Sequence, residues 1–180
     1  MEFEIIETER LLLKKATPET FTGLFANYPK EETMKILGLA TDEEFAKEKA
    51  KSDGGYTTYD RSIVAFLLIT KETGRTIGRA GYHNWYKDHS RAELGYAINN
   101  EESKRKGYMG EAVAAILDYG FNRMNLNRVE AFIGPANIVS QSIVRKYGFT
   151  LEGHLRQHFI RDGVPEDSLV FSLLKEEYLK

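Results

Sequence analysis

The chain has 180 residues, of which 42% are hydrophobic and 29% charged, as is typical of one soluble globular domain. Its formal net charge of -2 gives no general attraction for nucleic acid or an anionic membrane, so we expect neither as a direct partner. The absence of cysteine excludes disulfides, a thiolate nucleophile and cysteine-ligated zinc.

We expect neither a membrane-spanning helix nor a signal peptide. No apolar run approaches the roughly 20 residues that a membrane-spanning helix requires. The acidic first residues, Met-Glu-Phe-Glu, lack the basic-then-apolar order of a signal peptide. We therefore expect a cytoplasmic protein. The histidines at positions 83, 89, 154 and 158 show no metal-ligand spacing, and we expect no metal.

The first half of the chain predicts short strands and two helices. Residues 10–13 predict a strand, and Thr17-Pro18-Glu19 predicts a helix start. A charged helix is expected to run from Thr41 to about residue 52. Residues 62–70 and 75–83 predict a hairpin. In residues 92–98, Ala92, Leu94, Tyr96 and Ile98 alternate with Glu93, Gly95 and Ala97, as the two faces of a strand do.

The second half predicts alternating helices and strands. An apolar stripe over residues 110–124 predicts an amphipathic helix, which is followed by a strand at 128–133 and a second helix at 137–147. Strands at 149–160 and 168–174 are joined by a turn. We expect one α/β (α+β) domain over residues 1–180, with a mixed, mostly antiparallel sheet of about seven strands and about four helices.

The first segment that suggests chemistry lies between the strand at 92–98 and the striped helix. A turn at a helix start exposes backbone N–H groups, and the helix dipole favours an anion there. Three cations add positive charge, and two glycines allow close approach, so a pyrophosphate fits; a solvated basic turn is the alternative. The segment consists of Lys104, Arg105, Lys106, Gly107, Tyr108, Met109 and Gly110.

The second segment is the start of the helix at residues 137–147. Asn137, Ser140 and Val144 are spaced to share one helical face. An amide beside a hydroxyl suits an extended, amide-containing chain such as pantetheine. Asn137 is equally suited to be a simple helix cap.

Together these segments resemble the GNAT N-acetyltransferases, and most closely their RimJ/RimL-like subgroup, the ribosomal-protein N-terminal acetyltransferases and their relatives. The likeness covers nearly the whole chain, with six motifs in order. They are Thr8-Glu9-Arg10-Leu11, Glu93-Leu94-Gly95-Tyr96, the Gly-Tyr-x-x-Glu-Ala of residues 107–112, the Asn-x-x-Ser of 137–140, the Gly-Phe-x-x-Glu-Gly of 148–153, and Asp162-Gly163.

The resemblance implies an enzyme that uses acetyl-CoA as its co-substrate. Lys104 takes the first position of the family's pyrophosphate motif, and backbone amides of residues 105–110 would hold the pyrophosphate. Tyr96, Ala97 and Ile98 would lie alongside pantetheine. Asn137 would hydrogen-bond the pantetheine chain, and Ser140 would help to protonate the departing thiolate.

Two positions depart from the family pattern. Met109 brings bulk where the family has Gly or Ala. Val144 stands where many members have a tyrosine that acts as general acid, so that role passes to Ser140 or water; Tyr147 lies one turn away.

An acetyltransferase without cysteine requires direct attack of a neutral amine on the thioester in a ternary complex. Glu93 is the first candidate for the base, directly or through water, and a structural carboxylate paired with Arg91 or with a helix end is the alternative. Glu130 is a weaker candidate. His83, Trp85 and Tyr86 line an acceptor pocket or form the edge of the core.

Several alternatives stay open at this level. The acceptor is a protein N-terminus, a polyamine, an amino acid or a drug amine. A catalytically silent acyl-CoA-binding sensor or scaffold is the alternative function, and a nucleic-acid-binding domain is disfavoured by the net charge. The oligomeric state, including a homodimer, is not fixed.

Overall fold

The computed structural model describes residues 3–58 and 60–178. Within these ranges the strands are β1 (Ile5–Glu7), β2 (Leu11–Ala16), β3 (Ser62–Thr70), β4 (Thr76–Tyr86), β5 (Arg91–Ile98), β6 (Arg128–Ile133), β7 (Thr150–Arg161) and β8 (Val164–Leu174). The helices are α1 (Pro18–Asn27), α2 (Lys30–Leu37), α3 (Asp42–Asp53), α4 (Tyr108–Asp118), α5 (Ile138–Lys146) and α6 (Lys175–Tyr178).

The strands form one eight-stranded sheet in the order β1-β2-β3-β4-β5-β6-β8-β7. Neighbouring strands are antiparallel except β5 and β6, which are parallel. A parallel pair needs a crossover, which here contains α4. The sheet is therefore mixed and mostly antiparallel, as predicted.

Both faces of the central strands are covered. β3 is an almost continuous apolar run, and its adjacent residues Leu67 and Leu68 enter different hydrophobic clusters. Leu68 belongs to the main core, which contains the buried stripe of α4. Leu67 packs with Phe21 and Leu24 of α1. Burial on both sides explains why β3 lacks the alternating pattern of a half-exposed strand.

The helix predicted over residues 110–124 has other boundaries in the structure, at both ends. It begins at Tyr108, and after Asp118 it continues as one π-helical turn, Tyr119–Arg123. The Tyr82 hydroxyl donates to the Ile116 carbonyl over 2.8 Å, and a Cβ on Gly120 would lie 2.1 Å from that hydroxyl oxygen. A side chain inserted into the helical hydrogen-bond ladder widens it into such a turn.

The fold class is confirmed, with eight strands and six helices in the described residues instead of about seven and four. The additional elements are β1, α2 and the short α6. The predicted helix start at Thr41 is confirmed and is fixed by a capping box, in which the Thr41 hydroxyl accepts from the Glu44 N–H over 3.2 Å and the Glu44 carboxylate accepts from the Thr41 N–H. β8 begins at Val164, four positions before the predicted start, and continues the hairpin with β7.

Candidate functional site

The parallel strands β5 and β6 separate after a short contact. Arg91–Glu93 is in register with Arg128–Glu130, and no further pairing between these strands occurs in the part of the chain that the structure describes. Beyond Glu93 the facing edge of β5 has no strand beside it. Its backbone N–H and C=O groups are thus available to an extended ligand.

A cleft of about 540 Å3 lies at this separation. It brings together site residues that the sequence placed in distant segments. Glu93, Tyr96 and Ala97 of β5 line it, with Asn137 and Ser140 from the start of α5. Ile98 and residues 104–110 are outside its lining, on the chain that leads from β5 into α4.

Residues 104–110, which we name the α4-entry loop, turn sharply before the helix. Arg105 and Gly107 have positive φ angles of 61° and 81°. The first intrahelical bond runs from the Glu111 N–H to the Gly107 carbonyl over 3.1 Å, and no described side chain caps this helix start. The N–H groups of Tyr108, Met109 and Gly110 therefore have no intrahelical partner. Such a helix start suits an anion.

The α4-entry loop is held from behind by the N-terminal segment. The Arg10 guanidinium donates to Glu111 over 2.7 Å and to the Lys106 carbonyl over 2.9 Å, and the Thr8 hydroxyl donates to Glu111 over 2.6 Å. We name these residues the Arg10 clamp. Thr8-Glu9-Arg10-Leu11 and residues 107–112 were both recognised as motifs in the sequence. Nothing in the sequence indicated that the two motifs are in contact.

The start of α5 is fixed by a cap. The Asn137 Oδ1 atom accepts from the Ser140 N–H over 3.1 Å, so Asn137 is the helix cap that the sequence predicted as one of its two roles. The cap uses only Oδ1, so the Nδ2 donors of Asn137 remain for another partner. The Tyr96 hydroxyl donates to the Ser140 carbonyl over 3.4 Å, which links β5 to α5 beside the cleft.

The departures from the family pattern at Met109 and Val144, and the nearby Tyr147, have structural explanations. Met109 is only 9% exposed and packs in the main core, so its bulk points away from the loop. Val144 is fully buried in the same core. Tyr147 donates its hydroxyl to the Gly110 carbonyl over 2.5 Å, and it therefore supports the α4-entry loop.

Glu93 has two polar partners on β4. His83 Nε2 lies 2.8 Å from Oε1, and the Asn84 amide donates to Oε2 over 2.7 Å. Burial alone would raise the pKa of Glu93, but the interactions with His83 and Asn84 outweigh it and lower that pKa below its ordinary value. The carboxylate is therefore ionised at neutral pH. Its partners exclude the pairing with Arg91 that was the structural alternative.

Glu130, the weaker candidate for a base, is occupied elsewhere. Its carboxylate accepts from Arg91 over 2.5 Å and from Arg128 over 3.1 Å. Arg128 also binds Glu152 through two nitrogens, which lowers the pKa of Glu152 to about 2. This ionic network joins β5, β6 and β7. Both carboxylate oxygens of Glu130 are thus bound by arginines, and Glu130 is absent from the cleft lining.

A charged part of the cleft lining, which we name the acceptor end, consists of Glu48, Arg79, His83 and Glu93. Glu48 of α3 is 4% exposed and accepts from Arg79 over 2.7 Å and from the Tyr56 hydroxyl over 3.0 Å. Burial would raise the pKa of Glu48, but these partners lower it below its ordinary value. Sequence reasoning missed Glu48 and Arg79, because neither belongs to a motif.

The two aromatic residues at the end of β4, Trp85 and Tyr86, have different surroundings. Trp85 packs against the main core, and the Arg91 guanidinium stacks on the Tyr86 ring at 3.9 Å. Neither residue lines the cleft, and Trp85 has the core-edge position that was the alternative. Of the three residues considered for an acceptor pocket, His83 alone reaches it among the described residues.

Two further features of the described residues bear on the site. No three His, Cys, Asp or Glu side chains in residues 3–58 and 60–178 are grouped as metal ligands are. No helix in these ranges is long and apolar enough to cross a membrane.

Comparison with known proteins identifies the family. Residues 10–150 match the acetyltransferase (GNAT) domain. The chain is 33% identical over 177 residues to the uncharacterized N-acetyltransferase p20 of Bacillus licheniformis, covering 97% of this chain and 98% of that protein. It is 30% identical over 174 residues to the uncharacterized N-acetyltransferase YoaA of Bacillus subtilis, covering 96% and 98%.

The fold agrees with these sequence matches. The crystal structure of a GNAT-family acetyltransferase from Bacillus anthracis superposes with a TM-score of 0.68 at 24% identity, covering 97% of this chain and 100% of that one. Acetyltransferases of this family use acetyl-CoA. The prediction of an acetyltransferase is confirmed, and the chain belongs to the GNAT acetyltransferase family.

Proposed function

We propose that this chain is a single-domain enzyme of the RimJ/RimL-like subgroup that acetylates a primary amine by direct attack on acetyl-CoA. The observation that carries the proposal is the cleft between β5 and β6. Its lining joins the open edge of β5 and the start of α5 to the charged side chains of the acceptor end. An extended acyl donor and an amine can therefore meet in this cleft.

The donor is held mainly by backbone groups in this proposal. The free N–H groups of residues 108–110 and the loop residues Lys104, Arg105 and Lys106 bind the pyrophosphate. Tyr96, Ala97 and Ile98 lie along pantetheine through the unpaired edge of β5. The Nδ2 donors of Asn137 hold a pantetheine amide from the other wall.

The two proposed catalytic residues lie on opposite walls of the same cleft. Ser140 on α5 helps to protonate the thiolate that leaves when the C–S bond breaks. Glu93 on β5 assists removal of the proton from the attacking nitrogen. Both line the cleft, and both are partly shielded from water, which strengthens their electrostatic effect on the developing charges.

The charges of the cleft favour an acceptor with one α-amine, as at a protein N-terminus, over a polycation. Its described lining contains the cations Lys51, Arg79 and Arg161 and the carboxylates Glu48 and Glu93. Glu48 is already paired with Arg79. A polyamine would need an acidic surface that this lining does not provide. An α-amine with a pKa near 8 is also partly neutral at pH 7.5, whereas a lysine amine is not.

The proposal is tested by release of the CoA thiol from acetyl-CoA in the presence of different amines. The panel contains peptides with free N-termini, the same peptides with blocked N-termini and one lysine, amino acids, and spermidine. We expect the free N-terminal peptides to give the highest kcat/KM. Binding of acetyl-CoA without turnover of any amine would instead support the silent sensor.

A further inference from the structure

His83 occupies an irregular position in β4. Tyr82 is in register with Leu94 and Asn84 with Glu93, so His83 is an additional residue on the β4 side. The register with β3 shifts at the same place, between Val64↔Tyr82 and Ser62↔Trp85. A β-bulge sets two residues opposite one and redirects a side chain, and bulges are common beside active sites.

The bulge directs two consecutive side chains of β4 toward one carboxylate. His83 Nε2 is 2.8 Å from Glu93 Oε1, and Asn84 donates to Glu93 Oε2 over 2.7 Å. In a regular strand, consecutive side chains point to opposite faces and could not both reach Glu93. The irregularity therefore serves this contact, and the His83 side chain remains 51% exposed at the cleft.

Gly95 provides the space for the imidazole. A Cβ at Gly95 would lie 2.2 Å from His83 Nδ1 and 2.3 Å from Cε1, so the Nδ1–Cε1 edge of the ring occupies the space that a side chain at this position would fill. Gly95 is the next residue of β5 on the face of Glu93. With Nε2 at the carboxylate, Nδ1 is the ring nitrogen left for another partner, and no hydrogen bond to it occurs among the described residues.

The carboxylate itself is poorly suited to take the proton. The pKa of Glu93 is lowered because its contacts with His83 and Asn84 outweigh the effect of burial. A base of lowered pKa removes a proton from an amine less readily. An imidazole whose Nε2 faces the carboxylate keeps Nδ1 as its acceptor atom, and the carboxylate compensates the positive charge that the ring acquires.

We infer that His83 Nδ1 accepts the proton of the attacking amine and that Glu93 and Asn84 position the imidazole for this step. The inference rests on the proposed acetyl transfer. The nitrogen lone pair forms the C–N bond with the thioester carbonyl carbon, and one N–H proton passes to Nδ1. The C–S electron pair leaves with sulfur, which is protonated from solvent through Ser140. His83 then returns its proton to solvent, so atoms and charge balance.

Chemical rescue tests the inference on the whole chain, with an acceptor amine that the wild type acetylates. We expect His83→Ala to lower kcat/KM by about 10²-fold or more, while acetyl-CoA still raises the melting temperature as in the wild type. Added imidazole should restore the rate in proportion to its concentration. Pyrazole has the same shape but is a much weaker base, and it should not restore the rate.

Two more variants make the result decisive. His83→Gln keeps an amide beside Glu93 but cannot take the proton, so it should be as slow as His83→Ala. His89→Ala, in the exposed turn before β5, should keep the wild-type rate with or without imidazole. A wild-type rate in His83→Ala, or a loss that imidazole does not repair better than pyrazole, would overturn the inference alone. Absence of turnover by the wild type with every amine would overturn the proposed function and this inference with it.

Discussion

The α4-entry loop and the acceptor end are built in opposite ways. The loop is one continuous segment, residues 104–110, and it offers mainly backbone N–H groups at a helix start. The acceptor end combines side chains of α3, β4 and β5, which are distant in sequence. In the proposed function, the backbone groups bind the pyrophosphate, which is the same in every CoA donor. Side chains from separate elements can be replaced one at a time, so we expect the acceptor end to determine which amine is accepted.

The strongest test of the backbone-built region is Gly107→Asp. A carboxylate at this position would repel the pyrophosphate, and we expect the variant to lose stabilisation by acetyl-CoA, about 2.7 kcal/mol in the wild type at 100 times the dissociation constant. Thermal melts with and without acetyl-CoA measure this. The variant also carries strain of roughly 1–2 kcal/mol, because a side chain at positive φ is disfavoured.

Gly163→Asp is the matched control. Gly163 has a φ of 80°, close to the 81° of Gly107, and open space around its Cβ position. It lies in the turn between β7 and β8. Both variants should lose similar stability without ligand, and only Gly107→Asp should lose the acetyl-CoA effect. Equal stabilisation of both variants by acetyl-CoA would remove the α4-entry loop from the donor site.

Glu93→Gln tests the side-chain-built region. We expect kcat/KM at pH 7 to fall by about 10²–10⁴-fold, with acetyl-CoA binding intact. The deficit should shrink toward pH 9, where solvent deprotonates more of an α-amine. Rates and melts from pH 7 to 9 check this. Because the pKa of Glu93 is lowered, its contribution to stability is present above its ordinary pKa and lost only as pH falls through the lowered value.

Glu130→Gln separates a catalytic carboxylate from a structural one. Glu130 is in register with Glu93 but is bound by Arg91 and Arg128. Its replacement should lower the melting temperature because it leaves two arginines without their shared partner, and kcat should change little. If Glu93→Gln behaved in the same way, with a pH-independent loss of activity, both carboxylates would be structural.

Ser140→Ala should have a smaller but selective effect. We expect kcat to fall by about 10²-fold with unchanged acetyl-CoA affinity, because negative charge on sulfur develops only in the transition state. Steady-state kinetics and acetyl-CoA titration separate the two quantities. Ser142→Ala is the control on the same helix, since that hydroxyl donates to the Ile138 carbonyl over 2.9 Å. A fully active Ser140→Ala would show that the thiolate is protonated by water.

Arg10→Ala should have the smallest effect, on donor binding alone. The substitution removes the guanidinium's bonds to the Lys106 carbonyl and to Glu111. The Thr8 hydroxyl and the backbone N–H of residue 10 still bind Glu111, so the α4-entry loop is loosened but stays in place. We expect the KM for acetyl-CoA to rise severalfold with kcat retained. Lys71→Ala removes another exposed ion pair at this edge of the sheet, with Glu7, and serves as the control. A change in kcat without a change in KM would contradict the clamp.

Patterns in the sequence predicted the features that depend on residues close together along the chain. The alternation of residues 92–98 gave the faces of β5, and the Asn137 cap gave the start of α5. Helix and strand boundaries shifted by a few residues, and the π-helical turn was missed. That turn depends on Tyr82, which is far from residues 119–123 in sequence.

The sequence by itself determined the family, the fold class and the segment in which backbone N–H groups stand at a helix start. Each of these follows from residues that are neighbours along the chain or from motifs in a fixed order. Only the tertiary structure decided that β5 and β6 separate, that Arg10 holds the α4-entry loop, and that a bulge brings His83 to Glu93. These features are contacts between segments that are distant in sequence. They depend on which strands pair and in which register, and a local sequence pattern does not specify either.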